Sequence, residues 1–206
     1  MPIDLDLYSE HMRGRGIVEV LLRGHLWVEQ FLMALIEAEV ANPEPLNMDR
    51  MTFASKLNLA EALGLLSSGD AKTIRILNKM RNRLAHDLEG EPGQEELSAL
   101  EASLSDSQKS LAGKLSQTDE YAGSPTELEH VVRLAMSILA LITEIEYHRQ
   151  AHSYWREHRE AIDAHKMLVA IQKQIGVTEP MGWDEWRGRV GIPERPNGTH
   201  VTVRTK

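Results

Sequence analysis

The chain has no cysteine, so disulfides and thiolate metal sites are excluded from the start. Aromatic residues make up only 5% of it, with two phenylalanines, so its core has to be built from aliphatic side chains. No apolar run approaches the ~20 residues needed to cross a bilayer. The opening Met1-Pro2-Ile3-Asp4-Leu5-Asp6 lacks the basic start and apolar stretch of a signal peptide, and a cytoplasmic protein is expected. Broad positive charge is missing too. With 31 acidic residues against 23 Lys and Arg, the net charge is −8. A balance of that sign argues against a protein that coats nucleic acid, but not against one that grips a few phosphates locally.

What is present is ordinary for a globular chain: 206 residues, 42% hydrophobic and 26% charged, enough for one sizeable core with an appendage. The periodicity is helical nearly throughout. Residues 1–15 read as a partly ordered arm, with Arg13-Gly14-Arg15-Gly16 as a flexible lead-in. A first long helix is expected over 17–41, with Trp27 and Phe31 in its core-facing set, stopped by Asn42-Pro43-Glu44-Pro45. Thr52 caps a second helix to position 63, with Gly64 at its end. Residues 94–118 look helical but polar, as a surface helix or a mobile excursion. Ser124-Pro125-Thr126-Glu127 is a strong helix start, opening an apolar helix that continues past Tyr147 toward Trp155. Composition then changes. Residues 153–175 are a charged helix, and 176–206 hold Trp183, Trp186, a turn at Arg195-Pro196-Asn197-Gly198 and a short strand at Val201-Thr202-Val203. The expected architecture is all-α: an antiparallel helical bundle over 1–152 and a helical and irregular extension over 153–206.

One stretch carries chemistry. Arg81-Asn82-Arg83-Leu84-Ala85-His86 closes an amphipathic helix expected over 70–88. Ile74, Leu77, Leu84 and Leu88 form its apolar stripe, and gaps of three and four place position 81 in the same stripe. A guanidinium in a packing seam is costly unless it is paired or aimed at an anion. Asn78, Asn82 and His86, four apart, form a neighbouring row, and Lys72, Arg75, Lys79 and Arg83 form a basic one. On a regular helix Arg81 and His86 diverge by ~140°, at ~100° per residue. They can meet only if the last turn distorts or a second copy of the chain supplies one of them.

Cleavage of RNA by its own 2′-hydroxyl needs a base, an acid and a fixed cation on the phosphate, and no metal. Histidine suits the proton steps, arginine the phosphate, and asparagine the orientation of the scissile group. A twofold dimer would supply two histidines. The arginine, polar residue and histidine in this spacing resemble the motif of the HEPN superfamily, all-helical prokaryotic proteins. The upstream order is similar as well: Leu22-Arg23-Gly24-His25-Leu26, then Phe53-Ala54-Ser55-Lys56-Leu57, Ala62-Leu63-Gly64-Leu65 and Leu77-Asn78-Lys79-Met80, covering roughly residues 17–88. It is also similar to the mannitol operon repressor group. The resemblance implies a HEPN-like bundle and a metal-independent endoribonuclease, a toxin or defence effector that acts as a homodimer and is held in check by an antitoxin or other regulatory protein.

In that reading Arg81, Asn82 and His86 are catalytic. Asn78, Lys79 and Arg83 contact the RNA substrate, and His25 and Glu29 orient Arg81 from behind. No cofactor, metal or membrane is called for. The branch neutralised by nucleotidyltransferase antitoxins has a tyrosine two residues after the histidine, where this chain has Leu88. Three alternatives stand beside this reading. Arg81 pairs with a buried acid such as Glu29 while His86 and Asp87 finish the helix, so that both are structural. The chain is a non-enzymatic transcriptional regulator or interaction module of the mannitol-repressor type. Or Glu144, His148 and His152, at gaps of four, hold a metal, although the sequence places no further firm ligand beside them.

Overall fold

A computed structural model describes residues 3–87, 90–116, 126–195 and 201–202. It is an all-α bundle. Nine α-helices lie among the described residues: α1 (Leu5–Met12), α2 (Ile17–Glu39), α3 (Phe53–Ala62), α4 (Ser68–His86), α5 (Gln94–Ser103), α6 (Asp106–Ser116), α7 (Thr126–Glu157), α8 (Arg159–Gln174) and α9 (Trp183–Arg189). Two short strands, β1 (Ile3–Asp4) and β2 (Val201–Thr202), pair in parallel through Ile3 with Val201 and Asp4 with Thr202. Ser124, Pro125, Leu88, the turn at 196–198 and Val203 lie outside the described residues.

The bundle is organised by α2 against α7. Val20, Leu21, Val28, Phe31, Leu32, Leu35 and Ile36 of α2 are buried, as are Leu134, Ile138, Leu139, Leu141, Ile142 and Ile145 of α7. Trp27 packs against this core from its edge, stacked on Phe31 at 6.0 Å. The closest approach is at Gly24. A methyl group there would overlap the end of the buried Ile138 side chain, so glycine lets the two helices meet at this depth without displacing it.

From residue 3 on, the N-terminal arm is more structured than expected. Asp4 caps α1 by accepting from the Leu7 amide at 3.0 Å. Tyr8 and Met12 are buried, and the Tyr8 hydroxyl donates to the Ala135 carbonyl on α7 at 2.5 Å. Two buried side chains and one long-range hydrogen bond hold a segment whose short apolar pattern reads poorly in isolation. The polar stretch after position 93 is helical as expected, but it reaches into the core. It forms α5 and α6, with Leu97, Leu100 and Leu104 buried in the core.

Capping sets α3 as the sequence predicts. Thr52 accepts from the Ser55 amide at 3.1 Å, and Gly64, at φ +71°, closes the helix while the Leu65 amide reaches the Ala60 carbonyl at 2.9 Å. Ser67 caps α4, which starts two residues before the expected position, and Asp70 is then locked from three helices. It accepts from Ser67 on its own cap and from Gln108 of α6 at 2.8 Å, and His148 of α7 stands 3.7 Å away. Burial works to raise the Asp70 pKa, but the contacts from His148, Ser67 and Gln108 outweigh it and hold the carboxyl below the usual range.

The packing seam of α4 corrects the sequence reading. Ile74, Leu77, Met80 and Leu84 are buried, whereas Arg81 is half-buried beside them. Gaps of three, three and four fit a helical stripe as well as the expected 77–81–84 path does. Burying Met80 leaves the guanidinium at the margin of the core, where solvation is retained. After α7, which runs unbroken through position 152, the chain turns at His158 into α8, none of whose residues is buried.

Gly24→Ala is expected to destabilise the fold by about 1–3 kcal/mol through overpacking against Ile138, although alanine is the better helix former. Urea unfolding of the two proteins measures this. Equal or higher stability of the variant would mean that α2 and α7 have room to part.

Candidate functional site

The motif helix meets α2 and the start of α3 around a pocket of about 300 Å³, lined by His25, Glu29, Thr52, Phe53, Ala54, Asn78, Arg81 and Asn82. Each wall follows from local structure. Asn78, Arg81 and Asn82 are successive positions on one face of α4. His25 and Glu29, four apart, come from α2. Thr52 to Ala54 are the cap and first turn of α3. The first amides of a helix have no intrahelical acceptor and carry partial positive charge, so this end of α3 favours an anion.

Within the pocket the side chains are held by few bonds. Arg81 Nη1 donates to Asn82 Oδ1 at 3.2 Å. His25 Nε2 lies 3.1 Å from Asn78 Oδ1, and its ring packs on Phe53 at 4.1 Å between centroids. Glu29 is engaged by the buried Lys56 of α3, whose ammonium donates to Oε1 at 2.7 Å. The anticipated structural pairing of Arg81 with Glu29 is therefore absent, because Lys56 occupies that carboxylate. Burial pushes the His25 imidazole below its ordinary pKa. The Asn78 hydrogen bond and the charge of Glu29 oppose this, and Arg81 adds to the lowering.

His86 is not part of this pocket. It is the last residue of α4 and is exposed. The row Asn78–Asn82–His86 drifts, because each step of four residues turns ~40° beyond a full circle at ~100° per residue. Two steps also carry the row ~12 Å along the axis. Asn78 and Asn82 thus face the pocket while His86 lies past its rim. The helix stays α-helical to His86, so the last turn does not distort to bring it back toward Arg81.

The basic row divides. Arg75 is bound by Asn58 at 3.2 Å and by Glu61 of α3. Arg83 donates to the Glu91 carbonyl at 2.7 Å and to Glu96 of α5. Lys79 is exposed, and neither it nor Arg83 lines the pocket. The histidines of α7 diverge in their partners. His148 lies 3.5 Å from Glu144 and near Asp70, whereas His152 lies 3.5 Å from Glu39 at the end of α2. Burial raises the Glu144 pKa. Among the described residues no group of three or more His, Asp or Glu side chains is arranged to hold a metal ion.

Family models, curated proteins and solved structures offer no match to this chain. A larger pocket of about 480 Å³ lies where α2 ends against α7 and α8, lined by Trp155, Arg156, Arg159 and Lys166 among others. Those groups are exposed. The smaller pocket holds the buried histidine, the orienting amides and a helix start, which is the more informative chemistry. Thr52 to Ala54 are the part of this site that sequence reasoning missed. The Thr52 cap was legible, but nothing in the pattern says that the first turn of α3 abuts α4.

His25 makes stability depend on pH. Its folded-state pKa is depressed, so its contribution is complete above the unfolded value of about 6.5 and is lost as pH falls through the folded value. Urea unfolding at pH 7.5 and at pH 5 is expected to give a larger loss of stability in wild type than in His25→Gln. Equal losses would show that the imidazole is as free to protonate in the fold as in the unfolded chain.

Proposed function

We propose that this protein is a metal-independent endoribonuclease of HEPN type that works as a homodimer. The observation that carries the reading is the grouping of Arg81, Asn82 and Asn78 in one pocket at the start of α3, with Arg81 bound by no carboxylate among the described residues. A guanidinium without a carboxylate partner beside a helix N-terminus favours a phosphate. Arg81 holds the scissile phosphate and the charge that grows on it in the transition state. Asn82 steadies the guanidinium and orients the phosphate. Asn78 positions His25 inside the pocket, and exposed Lys79 tracks the neighbouring backbone. Glu29 acts behind the first layer, locked by Lys56.

His86 transfers a proton at a site shared with a second copy. One chain alone leaves it outside the pocket, and an isologous dimer of α4 ends would deliver it from the other side. The product is a 2′,3′-cyclic phosphate and a 5′-hydroxyl. An RNA substrate and an antitoxin or regulatory protein are the partners this reading implies, in a toxin or defence setting.

Purified protein is incubated with labelled structured RNAs in EDTA. Wild type is expected to cleave, with those end groups and no effect of chelator. Arg81→Ala and His86→Ala are each expected to lose at least ~100-fold in rate with unchanged circular dichroism. An equal mixture of the two variants, after subunit exchange, regains about a quarter of wild-type activity if each site draws on both chains of a twofold dimer. No cleavage across several RNAs would instead favour the regulator of mannitol-repressor type, and loss of fold in the variants would make the two residues structural.

A further inference from the structure

General acid–base cleavage needs two proton carriers, and the motif supplies one histidine. The pocket contains another. His25 is 5% exposed, lines the same cavity as Arg81 and Asn82, and is fixed on two sides, by Asn78 at 3.1 Å and by the Phe53 ring at 4.1 Å. With the amide oxygen of Asn78 accepting, Nε2 carries the ring proton, and the lone pair resides on Nδ1. A neutral imidazole whose tautomer is set by a second residue is the form in which histidine accepts a proton.

Burial favours that form, against the pull of the Asn78 hydrogen bond and the Glu29 charge. Glu29 is on its own helix, but its carboxylate is bound to Lys56 of α3 at 2.7 Å. Arg81 faces it from α4. Burial comes first among the causes that keep the ring neutral, and Arg81 adds to it. Any buried imidazole needs a hydrogen-bond partner, but His25 also lines the cavity that holds Arg81 and Asn82.

We propose that His25 is the general base of this reaction and that His86 is the acid. The inference rests on the ribonuclease reading above. The 2′-hydroxyl proton passes to His25 Nδ1 as the O2′–P bond forms. The P–O5′ bond breaks with its electron pair on O5′, and the imidazolium of His86 protonates that oxygen. Proton exchange with water restores both histidines, and no further reactant is consumed. His25 is thus a catalytic residue, and Asn78 is its positioning residue.

The test uses the full-length protein and an RNA whose cleaved linkage has first been mapped with wild type. The same RNA is made with sulfur in place of the leaving 5′ oxygen, because a thiolate departs without a proton. On the oxygen substrate, His25→Gln and His86→Ala are each expected to fall at least ~100-fold. On the sulfur substrate His86→Ala recovers to within a few-fold of wild type, while His25→Gln stays depressed.

Wild type itself provides a readout free of any folding defect. On the sulfur substrate its pH–rate profile is expected to keep only a rising limb, with a midpoint below the ordinary histidine value of about 6.5. Recovery of His25→Gln on sulfur, near-normal activity on oxygen, or a midpoint at or above the ordinary value would overturn the assignment. Wild type that cleaves no RNA at all would overturn the ribonuclease reading, and this assignment with it.

Discussion

Everything in the fold depends on how closely α2 can lie against α7. Gly24 sits under Ile138, and the absence of one side chain there lets two long helices share a single aliphatic core. The next residue is His25. The contact that closes the bundle therefore fixes the backbone from which the pocket histidine projects. α2 serves two purposes at once: one side buries Val28, Leu32 and Leu35, and another presents His25 and Glu29 to α3 and α4.

A second constraint is the partition of charge. Half-buried acids and bases compete for partners, and the pairing that forms decides which group is left over. Lys56 takes Glu29, Glu61 takes Arg75 and Glu96 takes Arg83. Among the described residues Arg81 has only the neutral amide of Asn82. A protein with net charge −8 thus keeps a guanidinium unneutralised in a pocket. That is a local arrangement, which net charge neither reveals nor forbids.

Much of this was legible in the sequence. The helices from 17 to 86, the Thr52 cap, the Gly64 stop and the long helix through Tyr147 all carry strong periodic or capping signals, and the all-α class follows from them. Other features were not legible, for identifiable reasons. α1 is held by Tyr8 reaching Ala135, a contact across most of the chain that leaves no local trace. Position 81 and position 80 both continue a stripe of gaps three and four, so periodicity alone could not choose Met80 for the seam. The pocket joins residues of three helices, and a sequence shows the face on which each lies but not which faces meet. The separation of His86 from Asn78 was calculable, since it is the precession of a four-residue row on a helix of 3.6 residues per turn.

The same distant contacts have a consequence for how the chain comes into being. The residues of the pocket all fall within positions 25–82, yet the helix that braces α2 from behind reaches Ile138 only much later. At a synthesis rate of 5–20 residues per second, roughly 6–23 s separate the emergence of Gly24 from that of its partner. During that interval the apolar side of α2 has no α7 to cover it. The nascent chain passes through a stage in which the pocket residues are all made but their scaffold is not. Closure then waits on an encounter between segments more than a hundred residues apart, so it comes late in synthesis.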